Sequence, residues 1–546
     1  MEFGKLEGND YNNLIMNIAV NAFRIAVGDN ISLQDMVDMF VDEYEDETGI
    51  DSGNSINIQY DAIDDYYSMG EGDTTTIDNM EYATDGDAQT AYVANDSTNF
   101  QSYSEDTIKQ QGSYSLKMVA TQTDSLNDSL TKDFSAIDLT NRDTIKFQAR
   151  ATRIGTNFKI HFIKEFEPDS NTKLLLNFNG TDGDTSTTDE SDSGHTPSFN
   201  GSAHIEEDQN KFGTTCLETD DSADYVNIPD HADWDFGTGD FTIECWIRPI
   251  TGASGSSFFF GRNTAYNSNY TTRKWCLNYS SANEKINWYG VSEGNNITDA
   301  SNQSVPLDQW SHIAIVRNSG QIKMWVNGKQ EGSTIASDTQ NHSYSDDIYL
   351  GAGQNGSYDI YFDGVRISNT ARYTSSFIPN AYFASNIEIY SANTWETKEI
   401  DISSYDSAEK EDIEGIAFEI INADSANTIY IDELYAYANP SGYTLISENQ
   451  VAESEPDEAR IVILMEEVSS ITLNTDLKAW LSKDDGSTFA QITLTDVGDY
   501  GASIKILYGE VDLAQSGIGS GTNIVYKITT HNSKNCKIHG TSVAWR

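Results

Sequence analysis

The acidic side chains of this 546-residue chain do not form the pattern that cleavage of a glycosidic bond requires. That reaction needs two carboxylates a few ångströms apart, one as the general acid and one as the nucleophile or base. Glu244 lies in a segment of alternating apolar and polar residues, but Thr242 and Trp246 flank it on the same face and supply no second carboxylate. A Gly-x-Ser-x-Gly elbow, a His-Glu-x-x-His pair and a phosphate-binding loop are also missing from the sequence. We therefore expect a protein without enzymatic activity.

The histidines and cysteines lack the spacing of a metal site. The eight histidines are dispersed, and structural roles are expected for His231, His312 and His342, which share one region of the chain. The four cysteines are too few and too scattered for a disulfide framework. Buried free thiols are the expectation for these four residues, Cys216, Cys245, Cys276 and Cys536.

The net charge of −53, from 86 acidic and 33 basic residues, excludes two classes of partner. A surface this negative repels nucleic acid and anionic membranes. Solubility in a saline environment explains the charge most simply, and binding of many Ca²⁺ ions is the alternative. No apolar run approaches the length of a membrane span, and the first residues lack the basic and apolar regions of a secretion signal. Membrane insertion and ordinary secretion are therefore not expected.

Three segments in the middle of the chain alternate apolar and polar residues, as half-buried antiparallel strands do. They are residues 237–250, 308–330 and 361–379. The second contains Asn327-Gly328, the strongest short hairpin signal. In their order the segments resemble the laminin-G-like, concanavalin-A-like lectin/glucanase sandwich. The resemblance implies a fold that is used mostly to bind glycans and surfaces and only sometimes to cut them.

The same resemblance implies a calcium site. Laminin-G-like and pentraxin-like sandwiches often hold Ca²⁺ through loop carboxylates and carbonyls, which are hard oxygen ligands suited to that ion. By this resemblance Asp182 and Asp184 of one loop, with Asp363, are the predicted ligands. The simpler alternative is that Asp363 caps a strand turn and Asp182 is solvated. Calcium is the one cofactor that the sequence implies.

Aromatic residues in irregular segments of the same region are candidates for stacking on sugar rings. Loops that combine rigid aromatic anchors with adaptable Ser and Asn side chains suit recognition. The alternative is that each ring belongs to the core, where aromatic residues of β-sandwiches more often lie. The predicted glycan-binding residues are Tyr266, Tyr270, Trp275, Trp288 and Tyr289.

The strand patterns on either side of this region predict a split domain in a mainly all-β chain. Alternating runs in residues 82–167 stop without completing a sandwich, and a fresh set follows in residues 381–438. The second set ends in Ile-Tyr-Ile-Asp, and the strand order resembles carbohydrate-binding-module-like jelly rolls. Together the two stretches have the length of one normal sandwich, so we predict a single jelly roll with the laminin-G-like domain, residues 168–380, inserted in it. Simple tandem domains are the alternative, and residues 439–546 are predicted to form a C-terminal β-sandwich.

Residues 1–81 are predicted to hold a helical hairpin and an acidic connector. Apolar residues repeat at helical spacing over about residues 9–47, with a turn near residues 28–30 and Ser32 as the N-cap of the second helix. The hairpin has no obvious domain of its own to pack on, which favours attachment or self-assembly over packing on its own chain. The predicted assembly residues are Leu14, Ile18, Ile25, Met36, Met39 and Phe40.

Residues 30–53 and the final β-rich stretch resemble modules of tail-fibre and other structural proteins of marine phages. The resemblance implies a non-enzymatic virion protein, tail-fibre-like or a similar appendage, that displays glycan-binding β-sandwiches to a host surface. It implies other virion proteins as partners and a homo-oligomer, with a trimer favoured. Assembly in the host bacterial cytoplasm and release by lysis would agree with the missing secretion signal. Two alternatives stay open: a capsid decoration or connector protein that contacts only virion subunits, and a depolymerase of host polysaccharide.

Overall fold

Antiparallel strands dominate the computed structural model, which confirms the mainly all-β prediction. Helices in the described part are short: α1 (Asp85–Ala91), α2 (Ser407–Lys410) and a 3₁₀ turn (Ala232–Trp234). In that part, no helix has both the length and the apolar character needed to cross a membrane. The structure describes residues 38–220, 223–250, 256–263, 273–290, 296–297, 304–351, 359–500, 503–515 and 517–546.

The chain divides into two compact units. The terminal unit comprises the described residues up to 75, residues 142–144 and residues 436–546. The central unit comprises residues 76–141 and 145–435.

The terminal unit is built from two antiparallel sheets. Its strands, numbered in chain order, are β1 (Asp38–Asp42), β2 (Ile58–Asp61), β3 (Tyr66–Met69), β30 (Thr444–Ile446), β31 (Gln450–Val451), β32 (Glu458–Glu467), β33 (Leu477–Ser482), β34 (Ala490–Ile492), β35 (Thr495–Tyr500), β36 (Ile504–Asp512), β37 (Asn523–Thr530) and β38 (Cys536–Trp545). One sheet has the order β2-β3-β38-β32-β36-β35, with β1 also paired to β38. The other has the order β30-β37-β33-β34, with β31 paired to β37.

Strand β1 shows that the helix predicted over residues 9–47 is wrong at its C-terminal end. Met39 and Phe40 lie on β1, which pairs antiparallel with β38. The ring of Phe40 stacks on Tyr526 with the ring centroids 6.0 Å apart. The edge of β38 satisfies the backbone of β1 and the core accepts Phe40, so these two residues pack on their own chain. The other predicted assembly residues lie outside the described residues, namely Leu14, Ile18, Ile25 and Met36.

The acidic segment that follows β1 is also more than a connector. Tyr44 and Tyr67 are each 1% exposed and contribute to the core of the terminal unit. The hydroxyl of Tyr44 lies 2.7 Å from Thr541 Oγ1 and 3.0 Å from the hydroxyl of Tyr526. Large buried tyrosines need such hydroxyl partners, and these partners come from the C-terminal strands. The N-terminal boundary predicted for the last sandwich therefore misses strands that belong to it.

Strands from both sides of the laminin-G-like region alternate within a jelly roll of the central unit. These strands are β4 (Thr74–Asp78), β5 (Val93–Ala94), β6 (Phe100–Glu105), β7 (Ser115–Ala120), β8 (Ser129–Ile137), β9 (Thr144–Ala151), β10 (Gly155–Ile163), β26 (Ala381–Ile389), β27 (Glu396–Asp401), β28 (Ile413–Ile420) and β29 (Asn427–Tyr437). The sheet orders are β26-β10-β28-β8-β5 and β27-β9-β29-β7-β6, with β4 paired to β29. Thus β10 lies between β26 and β28, and β9 lies between β27 and β29.

The residues between β10 and β26 form a second sandwich. Its strands are β11 (Thr172–Leu176), β12 (Ser198–Asn200), β13 (His204–Glu206), β14 (Cys216–Thr219), β15 (Tyr225–Ile228), β16 (Phe241–Pro249), β17 (Ser256–Asn263), β18 (Arg273–Ser280), β19 (Lys285–Tyr289), β20 (Asn296–Ile297), β21 (Ser311–Asn318), β22 (Gln321–Val326), β23 (Lys329–Ile335), β24 (Asp347–Gly351) and β25 (Ile360–Ser368). One sheet has the order β13-β14-β25-β16-β21-β22-β23, with β11 paired to β25. The other has the order β12-β15-β24-β17-β18-β19-β20.

Two tight turns fix the register of β21, β22 and β23. Ser319-Gly320 joins the first pair and Asn327-Gly328 joins the second, as the register across each hairpin shows. All four residues have positive φ, from 47° to 79°. This conformation matches the twist of the flanking strands and favours Asn and Gly, so the hairpin predicted at Asn327-Gly328 is confirmed.

A small apolar cluster joins the two sandwiches of the central unit. Ile163 and Ala417 come from the jelly roll, whereas Trp246 and Ile378 come from the laminin-G-like sandwich. Ile163 also pairs with Ala381, so the chain leaves and re-enters the jelly roll at adjacent positions. This packing leaves two clefts along the junction.

Candidate functional site

Two clefts open along the junction between the jelly roll and the laminin-G-like sandwich. The tryptophan cleft has a volume of about 640 Å³, and the acidic cleft has a volume of about 850 Å³. They share Asp133 of the jelly roll and Lys211 of the inserted sandwich, whose side chains form an ion pair with an N–O distance of 2.5 Å. Both volumes lie in the range of small-ligand sites. Side-chain amides and two indoles line the tryptophan cleft, namely Gln89, Asn95, Gln309, Asn327, Trp246 and Trp310.

Helix α1 and strand β5 set the jelly-roll wall of the tryptophan cleft. Thr84 and Asp87 form a capping box in which the hydroxyl of Thr84 accepts the Asp87 N–H and the carboxylate of Asp87 accepts the Thr84 N–H. The helix places Gln89 along the cleft, where its Nε2 donates to a backbone carbonyl of β6 at 3.3 Å. Asn95, just after β5, accepts a backbone N–H of β8 at 2.9 Å. These bonds fix the direction of both side-chain amides.

Trp246 and Trp310 form the apolar part of the opposite wall. Trp246 is only 7% exposed, and its Nε1 donates to Asn380 Oδ1 at 2.8 Å. Lys211 Nζ lies 4.3 Å from the centre of its ring, a cation–π contact. Trp310 is half-buried against the apolar cluster that contains Trp246. Trp310 therefore supplies most of the exposed indole surface of this wall.

Asn327 adds a polar group to the same wall. Its Oδ1 accepts the backbone N–H of His312 at 2.8 Å, and its own backbone N–H donates to the carbonyl of His312 at 2.9 Å. The hairpin turn therefore holds the amide in one direction.

The tryptophan cleft combines the two kinds of group that bind sugars. An indole packs against the C–H face of a sugar ring, and side-chain amides both donate to and accept from sugar hydroxyls. The Asp133–Lys211 pair at its boundary adds charged hydrogen-bond partners. The arrangement fits a neutral polar ligand of modest size.

Carboxylates crowd the acidic cleft, and Glu414, Glu165 and Glu190 among them accept N–H donors. Glu414 accepts the backbone N–H of Glu165 at 3.2 Å and one from the loop before β14 at 2.6 Å. Asn179 Nδ2 donates to both oxygens of Glu165 at 3.1 and 3.0 Å. Asn177 Nδ2 donates to Glu190 at 2.9 Å. The carboxylates are thereby held in place by the surrounding loops.

Burial perturbs the ionisation of the acidic cleft. It raises the pKa of Glu165 to about 9, with a further contribution from the charges of Asp363 and Glu414. Burial also raises the pKa values of Glu414 and Glu190 above their ordinary range. Glu165 therefore carries a proton at neutral pH.

Asp363 does not join a calcium site with Asp182 and Asp184. Its side chain is fully buried and accepts three backbone N–H groups, those of Lys211 (2.9 Å), Phe212 (3.0 Å) and Gly364 (2.8 Å). Burial raises its pKa to about 7 despite these bonds. The predicted metal role of Asp363 is wrong, because its oxygens hold the backbone of a neighbouring loop.

Asp182 and Asp184 also have different surroundings. Asp182 lies close to His204 and Glu206, with one ligand atom of each residue within 4.8 Å of the others. Asp184 is not in that group, and its carboxylate accepts the N–H of Thr181 at 3.0 Å. The three predicted ligands are therefore not brought together, and calcium binding at Asp182 stays a prediction.

The aromatic residues predicted to contact a glycan fall into three groups. Trp275 and Trp288 are 2% and 0% exposed and stack on each other in the core with centroids 5.7 Å apart. Their predicted role is wrong, because β18 and β19 turn both rings toward the opposing sheet. Tyr289 lies on the other face of β19, is half-buried and stays a prediction. Tyr266 and Tyr270 lie outside the described residues.

Sequence reasoning missed the residues of the junction clefts. For Trp246 the sequence did contain a signal. It lies on the same face of its strand as Thr242 and Glu244, which is the face that does not point into the core of its own sandwich, so a contact with another element could be expected. No comparable pattern marks Glu165 or Glu414, which are 249 positions apart in the chain. They meet because β10, which ends just before Glu165, pairs with β28, which contains Glu414.

A buried polar network lies beside the clefts on the sheet that contains β16. Glu244 accepts from Arg366 Nε at 2.9 Å and from the hydroxyl of Tyr373 at 2.8 Å, and it lies 3.1 Å from His312 Nε2. Glu244 and His312 are both fully buried. Because Tyr373 lies between β25 and β26, the network attaches the segment that leads back to the jelly roll to this sheet.

The middle of the chain matches one protein family. Residues 220–375 match the laminin-G-type family described as the concanavalin A-like lectin/glucanases superfamily. The chain therefore carries a laminin-G-like, concanavalin A-like domain, inserted between strands of the jelly roll. No curated protein matches the chain.

Solved structures resemble the chain only in part. The receptor-binding domain of botulinum neurotoxin C/D mosaic serotype is 14% identical, with a TM-score of 0.28 over 37% of this chain and 49% of that domain. A Trypanosoma rangeli sialidase is 12% identical, with a TM-score of 0.28 over 38% of this chain and 31% of the sialidase. Domain 4 of AbnA, an arabinanase from Geobacillus stearothermophilus solved with arabinotriose, is 17% identical, with a TM-score of 0.24 over 37% of this chain and 93% of that domain. The match thus spans about half of the toxin domain and a third of the sialidase.

Proposed function

We propose that the protein is a non-enzymatic structural protein of a phage particle, tail-fibre-like or a similar appendage, that binds host-surface glycans in the tryptophan cleft. The observation that carries the glycan proposal is the half-buried indole of Trp310 in a cleft lined by oriented side-chain amides. The virion proposal is supported by the resemblance of residues 30–53 and the final β-rich stretch to tail-fibre modules. The lectin-like fold of the inserted domain agrees with both.

The acidic cleft supports a non-enzymatic role. A glycosidase needs one ionised carboxylate and one acid directed at the same bond. Here both oxygens of Glu414 accept backbone N–H groups, and both oxygens of Glu165 accept an asparagine amide. The carboxylate oxygens of Glu414 and Glu165 are therefore used to hold the loops around the cleft, which favours a structural role for these two residues.

Glycan-array binding of the full chain, followed by calorimetry with the best-bound glycan, tests the proposal. Trp310→Ala removes the exposed indole and should weaken binding by roughly tenfold or more, the loss of an aromatic anchor worth at least about 1.4 kcal/mol. Trp395→Ala is the matched control, because Trp395 is also half-buried but does not line either cleft. We expect Trp395→Ala to bind like the unchanged protein.

The outcomes separate the alternatives. Binding that survives Trp310→Ala would move the glycan site away from the tryptophan cleft. No binding to any glycan would favour a decoration or connector protein. Release of reducing ends from host polysaccharide would favour a depolymerase.

The virion role and self-association need their own measurements. Antibody labelling of purified particles should place the protein on an appendage. Light scattering of the full chain should give an oligomer, with a trimer favoured. A protein that is absent from particles contradicts the virion proposal but leaves the glycan proposal standing.

A further inference from the structure

Two histidines and one aspartate meet at one end of the laminin-G-like sandwich, away from both clefts. His195 Nε2 lies 2.9 Å from Asp233 Oδ2, and His231 Nδ1 lies 3.2 Å from the same oxygen. One ligand atom of each residue lies within 4.8 Å of the other two. The residues come from two loops, one between β11 and β12 and one between β15 and β16.

The second loop is held rigidly by a buried arginine. Arg262 is fully buried and donates to the carbonyl of Trp234 at 2.8 Å. It also donates to the carboxylates of Asp230 at 2.6 Å and Asp235 at 3.1 Å. The guanidinium therefore clamps the chain on both sides of His231 and Asp233.

His195 is held by separate contacts. Its backbone N–H donates to Asp189 Oδ2 at 2.8 Å, and Asp189 Oδ1 accepts the backbone N–H of Leu175 on β11 at 2.9 Å. The imidazole packs on the indole of Trp234, which is fully buried, with centroids 4.5 Å apart. Because both loops are anchored in the sandwich, the three side chains meet without any rearrangement of the fold.

The cluster is open to solvent on one side. The side chain of His231 is 52% exposed and that of Asp233 is 23% exposed, whereas that of His195 is 10% exposed. An ion can therefore reach the nitrogen and oxygen atoms directly.

The donor set selects the class of ion. Two imidazole nitrogens and one carboxylate oxygen suit Zn²⁺, Co²⁺ and Ni²⁺, whereas Ca²⁺ and Mg²⁺ prefer oxygen ligands alone. Ligands about 2.0–2.1 Å from a tetrahedral zinc ion lie about 3.3 Å from one another, close to the 2.9 and 3.2 Å separations observed. His231 Nδ1 also accepts the backbone N–H of Asp233 at 3.2 Å, so an ion bound at this atom would replace that hydrogen bond. We propose that His195, His231 and Asp233 bind a divalent transition-metal ion, with solvent at the remaining position.

Such an ion would join two loops of the sandwich and stabilise it. Binding to the folded state alone raises stability in proportion to the logarithm of ligand concentration over the dissociation constant. The four thiols, which would otherwise compete for zinc, are all buried. The other cluster in the described residues, Asp182, His204 and Glu206, offers only one imidazole and is the rival site.

The test is calorimetric titration of the full chain with Zn²⁺ in excess Mg²⁺, which occupies exposed carboxylates, and absorption spectroscopy with Co²⁺. We expect one saturable site per chain, a tetrahedral Co²⁺ spectrum and a higher melting temperature with Zn²⁺. His231→Asn should weaken binding by about 100-fold or more, because removal of even an indirect partner of a metal ligand costs 10–100-fold. Asparagine is a good N-cap, so this variant keeps the capping role of His231 at the 3₁₀ turn.

Two matched variants identify the site. His204→Asn removes the imidazole of the rival cluster. His539→Asn removes an imidazole that lies 3.0 Å from Glu466 and belongs to neither cluster found among the described residues. Both should keep the Zn²⁺ affinity and the thermal shift. Absence of a saturable site, or binding unchanged by His231→Asn, or loss of binding in His204→Asn, would overturn the proposal.

Discussion

Trp246 of the inserted sandwich donates its indole N–H to Asn380 Oδ1 at 2.8 Å, and Asn380 Nδ2 donates in turn to the carbonyl of Lys164 at 3.0 Å. Lys164 follows β10, where the chain leaves the jelly roll, and Asn380 precedes β26, where it returns. A single asparagine thus ties both chain crossings to the wall of the tryptophan cleft. The position of Trp246, and with it the shape of the cleft, depends on how the two sandwiches are joined.

Asn380 is therefore expected to matter for stability. Asn380→Ala leaves the buried N–H of Trp246 and the carbonyl of Lys164 unpaired, which should lower the free energy of unfolding by about 1–3 kcal/mol. Asn380 also has a φ of 57°, which alanine tolerates poorly. Asn380→Gly removes the hydrogen bonds but accepts this backbone conformation, so comparison of the two variants by denaturant unfolding separates the two effects. Equal stability of all three proteins would contradict the role of the asparagine.

Removal of the inserted sandwich should leave the jelly roll folded. Ile163 and Ala381 are paired neighbours, so a short Gly/Ser linker replacing residues 168–379 closes a small gap at little entropic cost. We expect a cooperative melt and β-type circular dichroism, with some loss of stability from exposure of the small apolar cluster at the junction. The prediction would be contradicted if the protein without the inserted sandwich failed to melt cooperatively while a fragment of residues 82–167 folded alone. The jelly roll would then not be built from residues 82–167 and 381–438 together.

The acidic cleft should make stability fall as pH rises. The folded-state pKa of Glu165 is raised to about 9, so between its ordinary value near 4.5 and 9 the folded state binds more protons than the unfolded state. The free energy of unfolding therefore declines across that interval. Glu165→Gln removes the ionisable group and keeps one side-chain oxygen that can accept from Asn179, and it should flatten the decline in melts between pH 5 and 9. A slope identical to that of the unchanged protein would show that Glu165 ionises normally.

The buried network around Glu244 should be sensitive to the loss of one partner. Burial alone would raise the pKa of Glu244, but the charge of Arg366 and the hydrogen bond from His312 outweigh it and lower the pKa to about 2. Glu244→Gln leaves the guanidinium without its counter-charge in the interior and should cost about 3–5 kcal/mol. The double variant Glu244→Met with Arg366→Met removes both charges and should cost clearly less than the sum of the single variants Glu244→Met and Arg366→Met, as denaturant unfolding would show. Additive losses would mean that the two side chains do not interact.

Local sequence determined the strands and some of the turns. The hairpin at Asn327-Gly328 forms as predicted because its two residues favour positive φ whatever surrounds them. The alternation in residues 237–250 likewise predicts β16 and the opposite direction of Trp246 from its neighbours. These patterns depend only on residues that are close in sequence, so they can be interpreted without knowledge of the fold.

Tertiary structure decided which face of each strand is buried and which distant residues meet. Trp275 and Trp288 resemble surface aromatics in sequence, yet both belong to the core, because alternation does not reveal which face a second sheet will cover. Met39 and Phe40 repeat at helical spacing but form a strand, because the edge of β38 is available to pair with them. Contacts between the two sandwiches of the central unit join distant residues, such as Asp133 with Lys211 and Gly213 with Glu414, which are 78 and 201 positions apart. Their geometry depends on docking that no local pattern encodes.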